Sequence, residues 1–231
     1  MPINYNILLE SEKELKRLKI EYFEYVKYIH TKMWKEIFEK EAKKEEIISI
    51  EYNDVILRRL DQAAELNSNL IDECVWTISK DSPRANHLRF IISIIQSAKD
   101  LERASAYAFI ISKTITRRKI LIKNLSLLKP IVFKYLEIFD LFINLYKTSS
   151  ISKLEKVDEI ISDFKEAEHK FSKNLWKKFE NESSESEVEY FPISLVLKSI
   201  ESTVERIKGV FGSEKFVNTK TALIDLSEDL K

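Results

Sequence analysis

The stretch SPRANHLRFIISIIQSAKDLERASAYAFIIS, residues 82–112, decides the fold of this chain. After Pro83, apolar and small residues recur at Leu88, Ile91, Ile95, Ala98, Ser105, Phe109 and Ser112, steps of three, four or seven that line one side of an α-helix. A proline suits the first turn, where backbone N–H groups lack an intrahelical partner, and Asp81 and Ser82 ahead of it supply a candidate N-cap. The pattern predicts a helix from about 84 to 115. Small residues fill its second half, so Ala98, Ser105 and Ala106 are expected in a close helix contact, which Ala106→Leu would overpack.

The same period extends outward in both directions. Leu15, Leu18, Tyr22, Val26, Ile29, Met33 and Ile37 predict a long helix over 6–40. Ile56, Leu60, Ala63, Asn67, Leu70, Cys74 and Ile78 predict a second over about 47–80. Residues 119–147 are strongly apolar and read as one helix bent at Pro130, closed by Thr148-Ser149-Ser150. A fifth helix is expected over 151–181, a solvated loop over 181–189, and a sixth helix starting near Pro192 whose last 15 or so residues weaken into a frayed or short helix.

Composition supports helices and little else. In 231 residues only Gly209 and Gly212 are glycine, too few for tight hairpins or a Gly-rich phosphate loop. Thirty-eight basic and 38 acidic residues cancel, so no global field draws the chain to nucleic acid or to an anionic membrane. One cysteine, Cys74, forbids an internal disulfide and any Cys-based metal site. The N-terminus turns charged within ten residues, without a secretory apolar region, and no apolar run approaches the roughly 18 residues of a membrane span. A cytoplasmic protein that meets membranes only through partners is expected.

The helix order repeats. Pro83 opens a helix that reaches Asp100-Leu101-Glu102-Arg103, and Pro192 opens one that reaches Thr203-Val204-Glu205-Arg206, which suggests two three-helix units, residues 1–118 and 119–231. On Pro83, His87-Leu88-Arg89, Asp100-Leu101-Glu102-Arg103 and Glu205-Arg206-Ile207, the chain resembles the PhoU family. The likeness spans most of the chain, with residues 83–103 its most specific part.

That resemblance implies an all-α fold of two tandem three-helix bundles. It also implies a regulator of phosphate transport and signalling that contacts the phosphate ABC transporter ATPase subunit and, where one exists, a sensor histidine kinase. A homodimer is left open. Family members stack a carboxylate four residues after the Glu of this motif, and such pairs hold metal ions; here Ala106 and Gly209 stand at those positions. No metal and no cofactor are therefore expected. Asp100, Glu102, Arg103, Glu205 and Arg206 remain as a residual motif.

Glu102 lies four residues after Ala98 and seven after Ile95, so it is expected to point inward. A buried carboxylate needs a partner, and Arg58, Arg59, Arg89 and Arg103 favour an ion pair over a residual metal or anion-relay role. Glu201 and Glu205, one turn apart above Gly209, read as a solvated acidic edge with Lys198 or Lys208 nearby. Glu166 and His169 have the Glu-x-x-His spacing of di-iron bundles, but such a site needs two pairs and the chain has one. Trp34, Trp76 and Trp176 fall near seam positions and read as core. With no catalytic constellation, a binding protein is expected rather than an enzyme; the alternative is a structural or chaperone-like bundle that has lost phosphate signalling.

Overall fold

Seven helices follow one another in the computed structural model, which describes residues 5–148, 154–182 and 186–228: α1 (Tyr5–Ala42), α2 (Tyr52–Asp81), α3 (Ala85–Arg117), α4 (Ile122–Ser126), α5 (Lys129–Lys147), α6 (Leu154–Glu182) and α7 (Ser186–Glu228). No strand occurs among the described residues. Helices α1, α2 and α3 pack on one another, as do α5, α6 and α7. The most extensive contact joins the two sets through α3 and α7, and α1 adds a second junction by lying against α5.

One continuous core results, with Tyr22, Phe23 and Trp34 of α1, Leu101 of α3, Phe139 and Phe142 of α5, Phe164 of α6 and Ile207 of α7 all buried. Each such side chain contributes roughly 1.5–3 kcal/mol by leaving water. The small residues of α3 meet α7: the buried Ser97 hydroxyl donates to Ser93 O at 2.7 Å and to Val210 O across the interface at 3.2 Å. Ala98 and Ser105 are buried as expected, but Ala106 faces solvent. Ala106 stands about 100° around the helix from the buried Ser105, while the seam continues inward through Ala108, Ile111 and Ser112.

Each of the three prolines among the described residues plays a different part from the one its sequence suggests. Pro83 is buried in the α2–α3 joint, two residues before α3 begins. Asp81 caps nothing there and instead accepts a hydrogen bond from the Ser11 hydroxyl of α1 at 2.8 Å. Pro130 sits in the first turn of α5, so the expected bent helix is two helices, α4 and α5. Pro192 lies inside α7, which starts at Ser186. Tyr190 explains the early start, since its ring packs on Trp176 at 5.0 Å and Phe179 at 6.1 Å and anchors the head of α7 to the tail of α6. The expected loop over 181–189 therefore shrinks to the gap between those helices, and α7 runs on to Glu228 where a frayed end was expected. Ser149 and Ser150 lie outside the described residues.

Helices α1 and α3 end in the same way. Glu45 N–H donates to Lys40 O and Lys44 N–H to Glu41 O, while Ile120 N–H donates to Ile115 O and Lys119 N–H to Thr116 O. These paired bonds make a Schellman cap at each end, with Lys44 (φ 59°) and Lys119 (φ 50°) in the left-handed position that glycine usually takes. A side chain there costs about 1–2 kcal/mol. The first cap explains why α2 starts at Tyr52 and not near 47: residues 43–51 turn the chain, with Ile48 buried beneath them.

Candidate functional site

The residues of the two Glu-Arg motifs end up in different environments. Glu102 and Arg103 are exposed on the outer face of α3, which corrects the expectation that Glu102 points into the bundle. Leu101, Ala104 and Ser105 take the inward positions instead. Glu102 still lies close enough to the buried Tyr22 hydroxyl that burial and its negative charge together push that phenol well above its ordinary range.

Asp100, one step around α3, reaches the α7 interface. Its carboxylate stands 3.5 Å from Arg206 Nη1 and lies directly against the backbone of Gly209. A β-carbon at 209 would stand 2.8 Å from Asp100 Cγ and closer still to Oδ2. The lack of a side chain at 209 is what lets α3 present a carboxylate to α7.

The other side of α7 is tied to α6. Glu205 pairs with Lys165 at 2.5 Å and Lys208 with Asp158 at 2.9 Å. The hydrogen bond and charge of Glu205 raise the Lys165 pKa. Glu168 and Glu201 are like-charged neighbours on this seam, and burial together with Glu201 holds the Glu168 carboxyl above its usual range. The acidic edge expected at Glu201 and Glu205 is thus an interhelical seam. Lys165 was not singled out from sequence, because the register of α6 against α7 is invisible to the period of either helix.

Motif acids Asp100 and Glu205, with Asp158 beside them, each face a cation. Among the described residues no three His, Cys, Asp or Glu side chains converge so as to hold a metal ion. A multinuclear site of the kind the resemblance implies does not fit these residues: Ala106 brings no ligand, and the space at Gly209 is filled by a carboxylate already paired with Arg206. Glu166 and His169 are both exposed, and Glu166 is paired with Lys170 at 2.5 Å.

Several other titratable groups are buried or paired. Cys74 is buried, and burial with the nearby Glu73 pushes its thiol up to about 12. Arg59 Nη2 meets Glu36 Oε1 at 2.6 Å while the Tyr52 hydroxyl donates to Glu36 Oε2 at 2.8 Å, a partly buried α1–α2 clamp. A cleft of about 380 Å³ between α1 and α5 is lined by Glu24, Lys27, Tyr28, Asp140, Asn144 and Lys147, with Lys27 paired to Asp140 and Lys147 to Glu24. Trp34 is core and Trp176 packs on Tyr190, but Trp76 is 59% exposed on α2, a correction to its assignment as core.

The PhoU domain family matches residues 45–115, which span α2 and nearly all of α3. Uncharacterized protein MG409 of Mycoplasma genitalium is 42% identical over 114 residues, 49% of this chain and 48% of that protein, so the match spans about half of each. The MG409 homolog of Mycoplasma pneumoniae is 30% identical over 205 residues, covering 86% of this chain and 88% of that protein. Among solved structures, the phosphate transport system regulatory protein PhoU of Streptococcus pneumoniae superposes with a TM-score of 0.71 at 16% identity, over 92% of this chain and 97% of that one. PhoU of Pseudomonas aeruginosa gives 0.70 at 15%, over 94% and 100%.

Proposed function

Because this chain belongs to the PhoU family, we propose that it regulates phosphate transport and phosphate signalling by contacting other proteins rather than by transforming a substrate. Its partners in this reading are the ATPase subunit of the phosphate ABC transporter and, where one exists, a sensor histidine kinase, both met on the cytoplasmic side. The observation that carries the reading is the exposure of Glu102 and Arg103. These motif residues stand on the outside of α3, flanked along that face by the exposed Ile92 and Ile110, where a second protein can reach them. Charged groups beside isolated aliphatic side chains suit a contact in which the charges select the partner and the apolar side chains add affinity.

The test is a pull-down of the purified transporter ATPase with the unmodified protein and with Glu102→Lys/Arg103→Glu, alongside phosphate accumulation in deletion cells at low and high phosphate. Capture by the unmodified protein that the double variant loses, with altered uptake or shut-off in the deletion, is the expected result. Absence of capture together with unchanged accumulation would overturn the proposal.

A further inference from the structure

At one end of the molecule the α1–α2 turn, the end of α3, α4 and the start of α5 come together. Ile122 N–H donates to Glu46 O at 2.8 Å, Asn53 Nδ2 donates to Thr116 Oγ1 at 2.9 Å, and Lys129 Nζ meets Glu41 Oε2 at 2.5 Å. These bonds bring Lys43, Lys44, Arg117, Arg118, Lys119 and Lys123 to a common surface, all six exposed. Among the described residues no ion pair engages any of them, whereas the neighbouring Lys40 and Lys129 are tied to Glu45 and Glu41. Exposed Glu46 and Glu51 oppose the six cations, and Asp54 and Arg58, one turn apart on α2, offset one another. This end is therefore strongly positive in a chain whose total charge is zero.

Two further features mark the surface. Ile47 and Ile50 stand 41% and 61% exposed on either side of the buried Ile48, at the turn that carries Lys43 and Lys44. Lys44 and Lys119 occupy left-handed cap positions, as Ser82 does at the end of α2, so these two loops hold a cation where backbone geometry disfavours a side chain.

We propose that this end docks on an anionic lipid surface, with Ile47 and Ile50 entering the interface and the six cations lying at headgroup level. Charge complementarity identifies the occupant. Long cationic side chains around two separate aliphatic ones match mobile, anionic headgroups over an apolar layer, and need no shape-matched counterpart of the kind a protein surface supplies. No helix among the described residues is long and apolar enough to cross a membrane, so the contact is peripheral. Such a direct contact differs from the sequence-based expectation that a membrane is reached only through a partner, and the experiment below decides between the two. It stands independently of the regulatory role, which is tested on the outer face of α3.

Flotation of the purified full chain with vesicles of phosphatidylcholine alone, and with roughly 30% phosphatidylglycerol added, tests it at low and high salt. Binding to the anionic vesicles that weakens with salt is expected. Arg117→Glu/Arg118→Glu/Lys119→Glu should cut it about tenfold or more, and Ile47→Ser/Ile50→Ser should reduce it at unchanged net charge. Lys173→Glu/Lys177→Glu/Lys178→Glu, the same charge change on exposed α6 residues, should bind more like the unmodified protein. All these positions are exposed, and a retained helical circular-dichroism melt confirms folding. No binding to anionic vesicles overturns the proposal, as does equal loss in both charge-reversed variants. Loss of ATPase capture in the Arg117–Lys119 variant, with no vesicle binding by the parent, would assign this end to an acidic protein surface instead.

Discussion

The carboxylate of Asp100 occupies the space that a side chain at Gly209 would need. One residue's bulk and the other's lack of it are a single fitted contact between α3 and α7, secured by Arg206.

Gly209→Ala should consequently destabilise the protein although alanine is the better helix former by about 1 kcal/mol. The new methyl displaces Asp100 and weakens its pair with Arg206, for an expected net loss of about 1 kcal/mol. In an Asp100→Ala background the sign should reverse and Gly209→Ala should stabilise. Urea midpoints of the four proteins give the coupling; additive effects would mean that the two residues do not share this space.

His30 carries an acid sensitivity. Its Nε2–H donates to Ala104 O at 2.9 Å, its Nδ1 is buried without a hydrogen-bond partner, and Tyr135 and Phe139 pack on the ring. Burial, partly countered by the Ala104 bond, lowers its pKa from 6.5 to about 4. The native state keeps His30 neutral in a range where the unfolded chain binds a proton. Stability is therefore complete above about pH 6.5 and is lost as pH falls toward 4, by up to about 3 kcal/mol. His30→Gln should flatten this part of the stability–pH profile, and an unchanged acid slope in that variant would count against it.

Packing on α3 should discriminate between two alanines. Ala98→Leu intrudes on the α3 core face and should cost about 1–3 kcal/mol, whereas the exposed Ala106→Leu should change stability by less than about 0.5 kcal/mol. Thermal melts of both variants check the difference.

The Arg59–Glu36–Tyr52 clamp should outweigh the surface pairs. Burial alone would raise the Glu36 pKa, but hydrogen bonds from Arg59 and Tyr52 bring it below the ordinary value. Arg59→Met leaves that carboxylate partly buried with half its support and should cost about 2 kcal/mol. Lys170→Met, which removes an exposed pair with Glu166, should cost about 0.5 kcal/mol or less. Equal costs in urea titrations would contradict the difference in burial.

What the sequence discloses here is periodicity, and what it conceals is rotation and register. Buried Leu15, Tyr22, Val26, Leu70 and Ile91 follow from spacing alone. Glu102 does not, because steps of four and seven from Ala98 and Ile95 accumulate angular error that carries it past the boundary to solvent. The prolines mislead for a related reason. A proline marks a helix start or a bend equally well, and only the packing of Tyr190 on α6 and the short α4 ahead of Pro130 decide which. Of the motif residues, the Asp100–Arg206 pair was visible as two charges but not as a contact, since nothing local relates α3 to α7.

The fastening of α1 to α5 dictates an order of assembly. Its three ion pairs, Lys27–Asp140, Lys147–Glu24 and Lys129–Glu41, join residues 113, 123 and 88 positions apart. A chain growing from the ribosome completes α1 early, yet the aromatic side of that helix around Phe23 and His30 cannot be covered until α5 has been made. The α1–α2–α3 unit must therefore wait, partly uncovered, while some thirty further residues are synthesised. A nascent chain stalled just after α3 would leave Phe23 uncovered, and the face of α3 that packs on α7 would wait longer still.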